Sequence, residues 1–189
     1  MGTSVSHPSP KTRNWEAAQA TYKSDDFPVE RVLREIWRAA TNQESGNLAE
    51  QLSAPIINRL REITAKGGTT LEVASAINRE IALSRQNSLG VEIARRAALQ
   101  SINAQNRSQT FNERLFAEAS NYLVSRDLSG FVGSEFRNKN ATDSIQFKQA
   151  ITNAAIQTVK AVETSSSASE SSWGEYAGAV IKQITERRG

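Results

Sequence analysis

The sequence predicts an all-α fold, a multi-helix bundle of about seven or eight helices joined by short loops. Along most of the 189 residues, apolar side chains recur at the three- and four-residue spacing of an amphipathic helix. Several of these runs begin with a polar residue that is followed three positions later by Glu or Gln, a signature of helix N-termini. No stretch alternates apolar and polar residues over the length that a strand requires.

The clearest single helix is predicted for residues 28–41, PVERVLREIWRAAT. Pro28 suits the first helical position, where the backbone N–H that proline lacks would have no partner. One face carries all the large apolar side chains, which are Val29, Val32, Leu33, Ile36, Trp37 and Ala40. Because burial of such side chains stabilises a fold by roughly 1.5–3 kcal/mol each, this helix is predicted to belong to the core.

The other helices are predicted from their apolar stripes and from the polar residues that open them. Capping signatures begin at Asn47, Thr69, Thr110, Asp143 and Ser172, and two adjacent glycines after Lys66 end one helix. The predicted bounds are 11–23, 47–66 with an end or kink at Pro55, 69–86, 89–105, 110–125, 143–163 and 172–187.

The segment 89–105 differs from the other predicted helices because apolar residues surround most of its circumference. A helix of that kind is usually central in a bundle. Its two adjacent arginines, Arg95 and Arg96, then need partners or must extend to the surface.

Composition divides the chain into one bundle and its flanking segments. Residues 1–10 are rich in Ser and Pro and are predicted to be disordered. The bundle domain is assigned to 11–163, a flexible Ser-rich linker to 164–171 and a tethered amphipathic helix to 172–189. Within the bundle, residues 126–140 contain two glycines and are predicted to form a semi-ordered loop.

The residue types that are missing exclude most catalytic chemistry. The chain has no Cys and a single His, His7, which falls in the segment predicted to be disordered. A thiolate nucleophile needs a Cys, a Ser-His-Asp triad needs a His held in a fixed position, and a zinc site needs several Cys or His ligands. No glycine-rich phosphate-binding motif is present either. We therefore expect no metal and no cofactor, and an enzyme working with carboxylates alone stays only as a third, disfavoured alternative.

The distribution of apolar residues bears on localisation. No run of apolar residues approaches the length of a membrane-spanning helix. The N-terminal residues lack the apolar stretch of a secretory signal, and together with the absence of cysteine this favours a cytoplasmic protein. The first six residues, MGTSVS, match the permissive N-myristoylation pattern, so lipidation is left open.

Two features favour a non-catalytic interaction or assembly protein, such as an adaptor or subunit that binds another protein or a second copy. Arg31, Arg34 and Arg38 form a stripe opposite the apolar face of helix 28–41, although Glu30 and Glu35 would partly neutralise it. The C-terminal helix presents a complete apolar face, which either docks on its own domain or enters a groove on a partner. The side chains proposed for that contact are Trp173, Tyr176, Val180 and Ile184.

The alternative is a nucleic-acid-associated subunit that contacts the phosphate backbone. In this interpretation Arg95, Arg96 and Arg107 would join the arginine stripe as phosphate contacts. The net charge is only +3, from 23 basic and 20 acidic residues, and aromatic residues are few. A dedicated nucleic-acid-binding protein usually has a denser basic surface, so this is the second choice.

Overall fold

The computed structural model describes residues 10–23, 28–41, 47–103, 108–127, 140–165 and 172–186. Within these ranges the chain forms nine α-helices and no strand, which confirms the all-α prediction. The helices are α1 Pro10–Lys23, α2 Val29–Thr41, α3 Leu48–Ser53, α4 Pro55–Lys66, α5 Thr70–Ser84, α6 Leu89–Ile102, α7 Phe111–Asp127, α8 Ala141–Ser165 and α9 Trp173–Glu186. None of the described helices combines the length and the apolar character that spanning a bilayer requires.

Three helices organise the packing. Helix α2 is in contact with α1, α3, α7, α8 and α9, while α7 packs against α8, α6, α2 and α4. Helix α6, predicted to be central, packs against α3, α4, α5 and α7. Helix α5 has extensive contacts only with α4 and α6 among the described helices, so it lies at the edge of the bundle.

Buried apolar side chains from all nine helices form one continuous core. Trp37 of α2 is completely buried, and its ring centroid lies 6.1 Å from that of Phe116 on α7. The Trp37 indole Nε1–H donates to Ser120 Oγ at 3.0 Å, and Ser120 Oγ donates in turn to the Phe116 carbonyl at 2.7 Å. Because a buried indole N–H needs a partner, this pair of bonds fixes how α2 sits on α7.

Helix α7 is buried more completely than the sequence predicts. Its apolar spacing predicts a buried stripe of Phe111, Leu115, Ala119 and Tyr122. In the structure the first three are buried and Tyr122 is partly buried. Six further residues around the circumference are buried as well: Glu113, Phe116, Ala117, Ser120, Leu123 and Val124. The reason is that α2, α6 and α8 cover α7 from several sides.

Two of the predicted capping boxes are complete. Thr69 Oγ1 accepts from Glu72 N at 3.2 Å, and Glu72 Oε2 accepts from Thr69 N at 2.8 Å. Ser172 and Glu175 exchange the same two bonds, at 3.3 and 3.1 Å. These reciprocal bonds satisfy N–H groups that have no partner inside the helix.

At Asn47 and Thr110 the side chain of the cap residue accepts a backbone hydrogen bond as predicted, but the reciprocal bond of a capping box is not formed. Asn47 Oδ1 accepts from Ala49 N at 2.8 Å, and Thr110 Oγ1 accepts from Glu113 N at 3.2 Å. The Glu113 carboxylate is buried instead, and its Oε2 has no hydrogen-bond partner within the described residues.

The predicted capping of α8 by Asp143 is wrong. The helix begins at Ala141, two residues earlier. The side chain that caps it belongs to Asn140, whose Oδ1 accepts from Asp143 N at 3.0 Å. The capping residue is therefore the last residue of the segment predicted to be a loop.

Several other boundaries differ from the prediction. Pro10 opens α1 rather than ending a disordered segment, and α8 extends through Ser165 into the predicted linker. Helix α7 likewise continues to Asp127, while α6 ends at Ile102, before residue 105. The predictions for residues 1–9, 128–139 and 166–171 lie outside the described residues.

Candidate interaction surface

Two of the three arginines in the predicted stripe on α2 make ion pairs or hydrogen bonds within the same chain. Arg34 Nε and Arg38 Nη1 each lie 3.2 Å from Glu35 Oε1, and the Glu35 side chain is only 11% exposed. Arg38 Nε also donates to the Thr185 carbonyl of α9 at 2.8 Å. Of the three arginines, Arg31 is exposed and the other two are partly buried. The stripe is therefore partly neutralised, and it helps to hold the C-terminal helix.

The apolar face of α9 packs on the same chain. Tyr176, Val180 and Ile184 are buried in the common core, where α9 contacts α2, α3 and α8. Trp173 is partly buried, and its Nε1–H donates to the Leu52 carbonyl at 2.8 Å. The sequence left two alternatives open for the apolar face of α9. In the structure α9 docks on its own domain. In this arrangement these four side chains do not form a free surface.

A polar cluster fixes α9 to α7 and α8. Glu163 Oε1 accepts two hydrogen bonds, from Tyr176 Oη at 2.9 Å and from Asn112 Nδ2 at 3.0 Å. Burial, reinforced by the neighbouring Glu163 carboxylate, raises the pKa of Tyr176 far above its ordinary value. The phenol is therefore a permanent hydrogen-bond donor. No spacing rule connects residues 112, 163 and 176, so sequence reasoning did not find this cluster.

Arg95 and Arg96 on α6 share one carboxylate. Arg95 donates through Nε and Nη2 to the two oxygens of Glu92, at 3.0 and 2.9 Å, and Arg96 Nε donates to Glu92 Oε1 at 3.2 Å. The bonds from Arg95 are the main reason that the pKa of Glu92 is lowered. Helices α2 and α6 share no extensive contact, so the two arginine groups lie on helices that are not packed side by side. Arg107 lies outside the described residues.

Two open grooves in the described region are lined largely by residues with polar side chains. One of about 470 Å³ lies between α7 and α8 and is lined mainly by amide and charged side chains, including Arg114, Glu118 and Lys148. A second, of about 300 Å³, lies beside Arg61 and Asn112. In the described part of the chain, no three His, Asp or Glu side chains come together as a group that could hold a metal ion.

The clearest free surface is on the outer side of α5. Val73 and Ile77 of this helix are buried against its neighbours, whereas Leu71 is 77% exposed and Leu83 is 73% exposed. Two small side chains on this outer side are exposed as well. We use the name α5 outer face for the set formed by Leu71, Ser75, Ala82 and Leu83.

Helical geometry places Ser75 at the centre of the α5 outer face. At about 100° per residue, Ser75 lies roughly 160° around the helix from both Val73 and Ile77, so it is opposite the buried side. On one flank of Ser75, Ala82 lies about 20° away and Leu71 about 40° away. Leu83 lies about 80° away on the other flank. The face therefore has a small centre with one large apolar side chain on each flank.

Charged and amide side chains accompany the α5 outer face. Glu72 and Arg79 are exposed, and the Arg79 side chain makes no hydrogen bond or ion pair with the described residues. Glu80 is only partly exposed, and its Oε1 lies 2.7 Å from Arg59 Nε of α4. Asn78 is exposed near the middle of the helix. The outer side of α5 therefore combines two exposed leucines with at least one uncommitted cation.

Sequence reasoning missed the α5 outer face because it assigned this helix a single apolar stripe. That stripe consists of Val73, Ala74, Ile77 and Ile81. It does turn inward, with Val73 and Ile77 buried and Ala74 and Ile81 partly buried. A signal was nevertheless present, since Leu71 and Leu83 do not fall on that stripe at helical spacing.

Comparison with protein-family models, with curated proteins and with solved structures finds no match in any of the three.

Proposed function

We propose that the protein is a non-catalytic helical interaction protein and that the α5 outer face is where it binds another protein. Three large apolar side chains are exposed in the described part of the chain, and two of them, Leu71 and Leu83, lie on this one helix. Covering a side chain of this size is worth roughly 1.5–3 kcal/mol. Two such side chains on the edge helix, held in a fixed relation by the helix itself, supply a driving force for association.

The shape of the surface favours a helix as the binding element of the partner. Leu71 and Leu83 are twelve residues apart, which corresponds to about 18 Å along the helix axis. Ser75 and Ala82, the two side chains closest to the centre of this face, are small, so a second helix can approach there to the usual interaxial distance of about 8–10 Å. The longer side chains of Glu72 and Arg79 lie toward the flank that carries Leu83. The partner is therefore expected to present an amphipathic helix of three or more turns.

The nucleic-acid alternative has less support from the geometry. The guanidinium groups of Arg34 and Arg38 are paired with Glu35, and those of Arg95 and Arg96 with Glu92. Phosphate contacts would have to displace these carboxylates or act beside them. Purified protein is expected to show a protein-like ratio of absorbance at 260 and 280 nm. If it instead binds DNA or RNA with an affinity that falls steeply with salt, this alternative is restored.

Site-specific photo-crosslinking in cells that produce the protein tests the proposal. A photoreactive side chain at Ala82, in the α5 outer face, should give discrete protein adducts. The same side chain at Ala179, an exposed alanine on α9, serves as the matched control and should give none of them.

The adducts from position 82 should disappear when Leu71→Lys and Leu83→Lys are introduced together, because the apolar contact is then replaced by two charges. Circular dichroism of that variant checks that the helices are intact. If position 82 gives no adduct, or the same adducts as position 179, the α5 outer face is not the binding surface.

A further inference from the structure

We infer that the partner of the α5 outer face is α5 of a second copy of this chain, packed antiparallel about a two-fold axis. This inference rests on the proposed function and names its partner. It is carried by the positions of two charged residues and one amide relative to the centre of the face.

Glu72 and Arg79 lie on the same flank of the α5 outer face, about 60° and 40° around the helix from Ser75. Seven residues at about 100° each fall roughly 20° short of two full turns, so the two side chains leave the helix in nearly the same direction. Along the axis they are about 10.5 Å apart. Both are exposed, and the opposite charges are therefore arranged in a line along one flank.

A two-fold axis perpendicular to both helices sets each flank against the same flank of the other copy. We place this axis level with Ile77, midway between the two exposed leucines. Measured along the helix direction, Glu72 then lies about 7.5 Å from the level of the two-fold axis, and Arg79 of the other copy lies about 3 Å from that level on the same side. The remaining axial offset of about 4.5 Å is well within the reach of an arginine side chain. Two equivalent ion pairs result, one at each end.

The opposite flank gains an apolar contact from the same axis. Leu71 lies about 9 Å from the axis and the partner's Ala82 about 7.5 Å from it, on the same side. Each Leu71 side chain therefore covers an alanine of the other copy. The small Ser75 side chain at the centre lets the two helices approach closely enough for both flanks to meet.

A parallel arrangement would lose these contacts. Its two-fold axis runs along the helices and sets each flank against the opposite flank of the other copy. Glu72 and Arg79 would then face Leu71, Ala82 and Asn78, none of which is charged, and partly burying charges without partners is costly. A parallel pair would also align the two helix dipoles, whereas the antiparallel pair sets each N-terminus beside a C-terminus.

Asn78 provides an independent reason for a self-complementary contact. It is exposed on the same flank as Leu71 and lies about 1.5 Å along the helix from the level of the two-fold axis. The two copies of Asn78 are therefore only about 3 Å apart in the axial direction. An amide side chain both donates and accepts hydrogen bonds, so the two can bond to one another. A shift of register would separate them.

Sedimentation velocity of the purified full chain over a range of concentrations tests the inference. The wild-type protein should pass from monomer to dimer as its concentration rises, since a contact made by one helix per copy is small and weak. The Leu71→Lys variant should stay monomeric, because its charge replaces the side chain that covers Ala82 of the other copy. The control variant Ile145→Lys changes the third exposed apolar residue, which lies on α8, and should dimerise like wild type.

Charge reversal provides the decisive comparison. Glu72→Arg alone and Arg79→Glu alone should each weaken the dimer roughly tenfold, because each replaces both ion pairs by like charges. An equimolar mixture of these two variants should recover dimers, since in the mixed pair every Arg again faces a Glu. Arg79→Glu leaves the capping box of α5 intact. Glu72→Arg removes the carboxylate that accepts from Thr69 N, so a melting curve must show that this variant is still folded.

The possible outcomes separate this inference from the proposed function. A wild-type chain that stays monomeric at every soluble concentration overturns the second-copy partner, and so does a dimer that the leucine or charge variants leave unchanged. If, in that case, position 82 still crosslinks to a different protein, the interaction role of the α5 outer face stands with another partner. If position 82 crosslinks to nothing, both proposals fail.

Discussion

Replacing Ile184 by alanine tests whether α9 belongs to the core. Ile184 is 2% exposed and packs where α9 meets the rest of the bundle. Truncation of a buried isoleucine removes its transfer free energy and leaves a cavity, which together cost about 2–5 kcal/mol. For a chain of this length the urea m value lies toward the upper end of about 1–3 kcal/mol/M. The midpoint of urea unfolding should therefore fall by roughly 1–2 M.

Ile145→Ala is the matched control for this measurement. Ile145 is 57% exposed on α8, so the same truncation there should change the free energy of unfolding by no more than about 0.5 kcal/mol. Both variants are followed by circular dichroism at 222 nm in the same urea series. If Ile184→Ala shifts the midpoint no more than Ile145→Ala does, α9 is not packed on its own domain in solution, and its apolar face would again be available to a partner.

Three further predictions follow from individual contacts. A Cβ atom at Gly90 would lie 2.6 Å from a side-chain carbon of α3, so Gly90→Ala should cost about 1–3 kcal/mol in urea unfolding; Gly178→Ala, where nothing lies within 4 Å, should instead be neutral or stabilise α9 by up to about 1 kcal/mol. Trp37→Phe removes the N–H that donates to Ser120 and also leaves a cavity in the core, so it should cost at least about 1–3 kcal/mol, and a smaller loss would contradict the packing described for Trp37. Hydrogen bonds from the N-cap residue, chiefly from its backbone N–H, lower the pKa of Glu72, so its contribution to stability is complete above the ordinary glutamate pKa of about 4.3 and is lost as the pH falls through the lowered folded value. Glu72→Gln should consequently flatten the acid side of the stability profile measured by thermal melting, and an unchanged profile would contradict this.

The α2 prediction succeeded because its information is local. Val32, Leu33, Ile36 and Trp37 fall on one face by helical geometry alone, and all four are buried. Only Val29, at the start of the helix, is partly exposed. An amphipathic pattern of this strength specifies both the helix and the side that it buries.

The position of α7 in the bundle had no such local signal. Its buried face includes Ser120 and Glu113, which are polar residues that a hydrophobicity pattern assigns to the surface. Ser120 is tolerated inside because it bonds to Trp37 and to its own helix. That compensation depends on a residue 83 positions away in the sequence, so the pattern within α7 alone does not contain it.

The candidate interaction surface was hard to predict for the same reason. The apolar face of α9 looks the same in the sequence whether it binds its own bundle or a partner. The decision depends on α2, α3 and α8, which provide the complementary surface. Conversely, the sequence places Leu71 and Leu83 off the buried stripe of α5, but only the position of α5 at the edge shows that no other described helix covers them.

The bond between Arg38 and the Thr185 carbonyl has a consequence for biosynthesis. The two residues are 147 positions apart, and at about 5–20 residues per second a ribosome needs roughly 7–30 s to add that much chain. During this interval α2 has left the ribosome, but the helix that covers part of its surface has not yet been made. The part of α2 that α9 covers must therefore stay uncovered in the nascent chain for far longer than a helix takes to form.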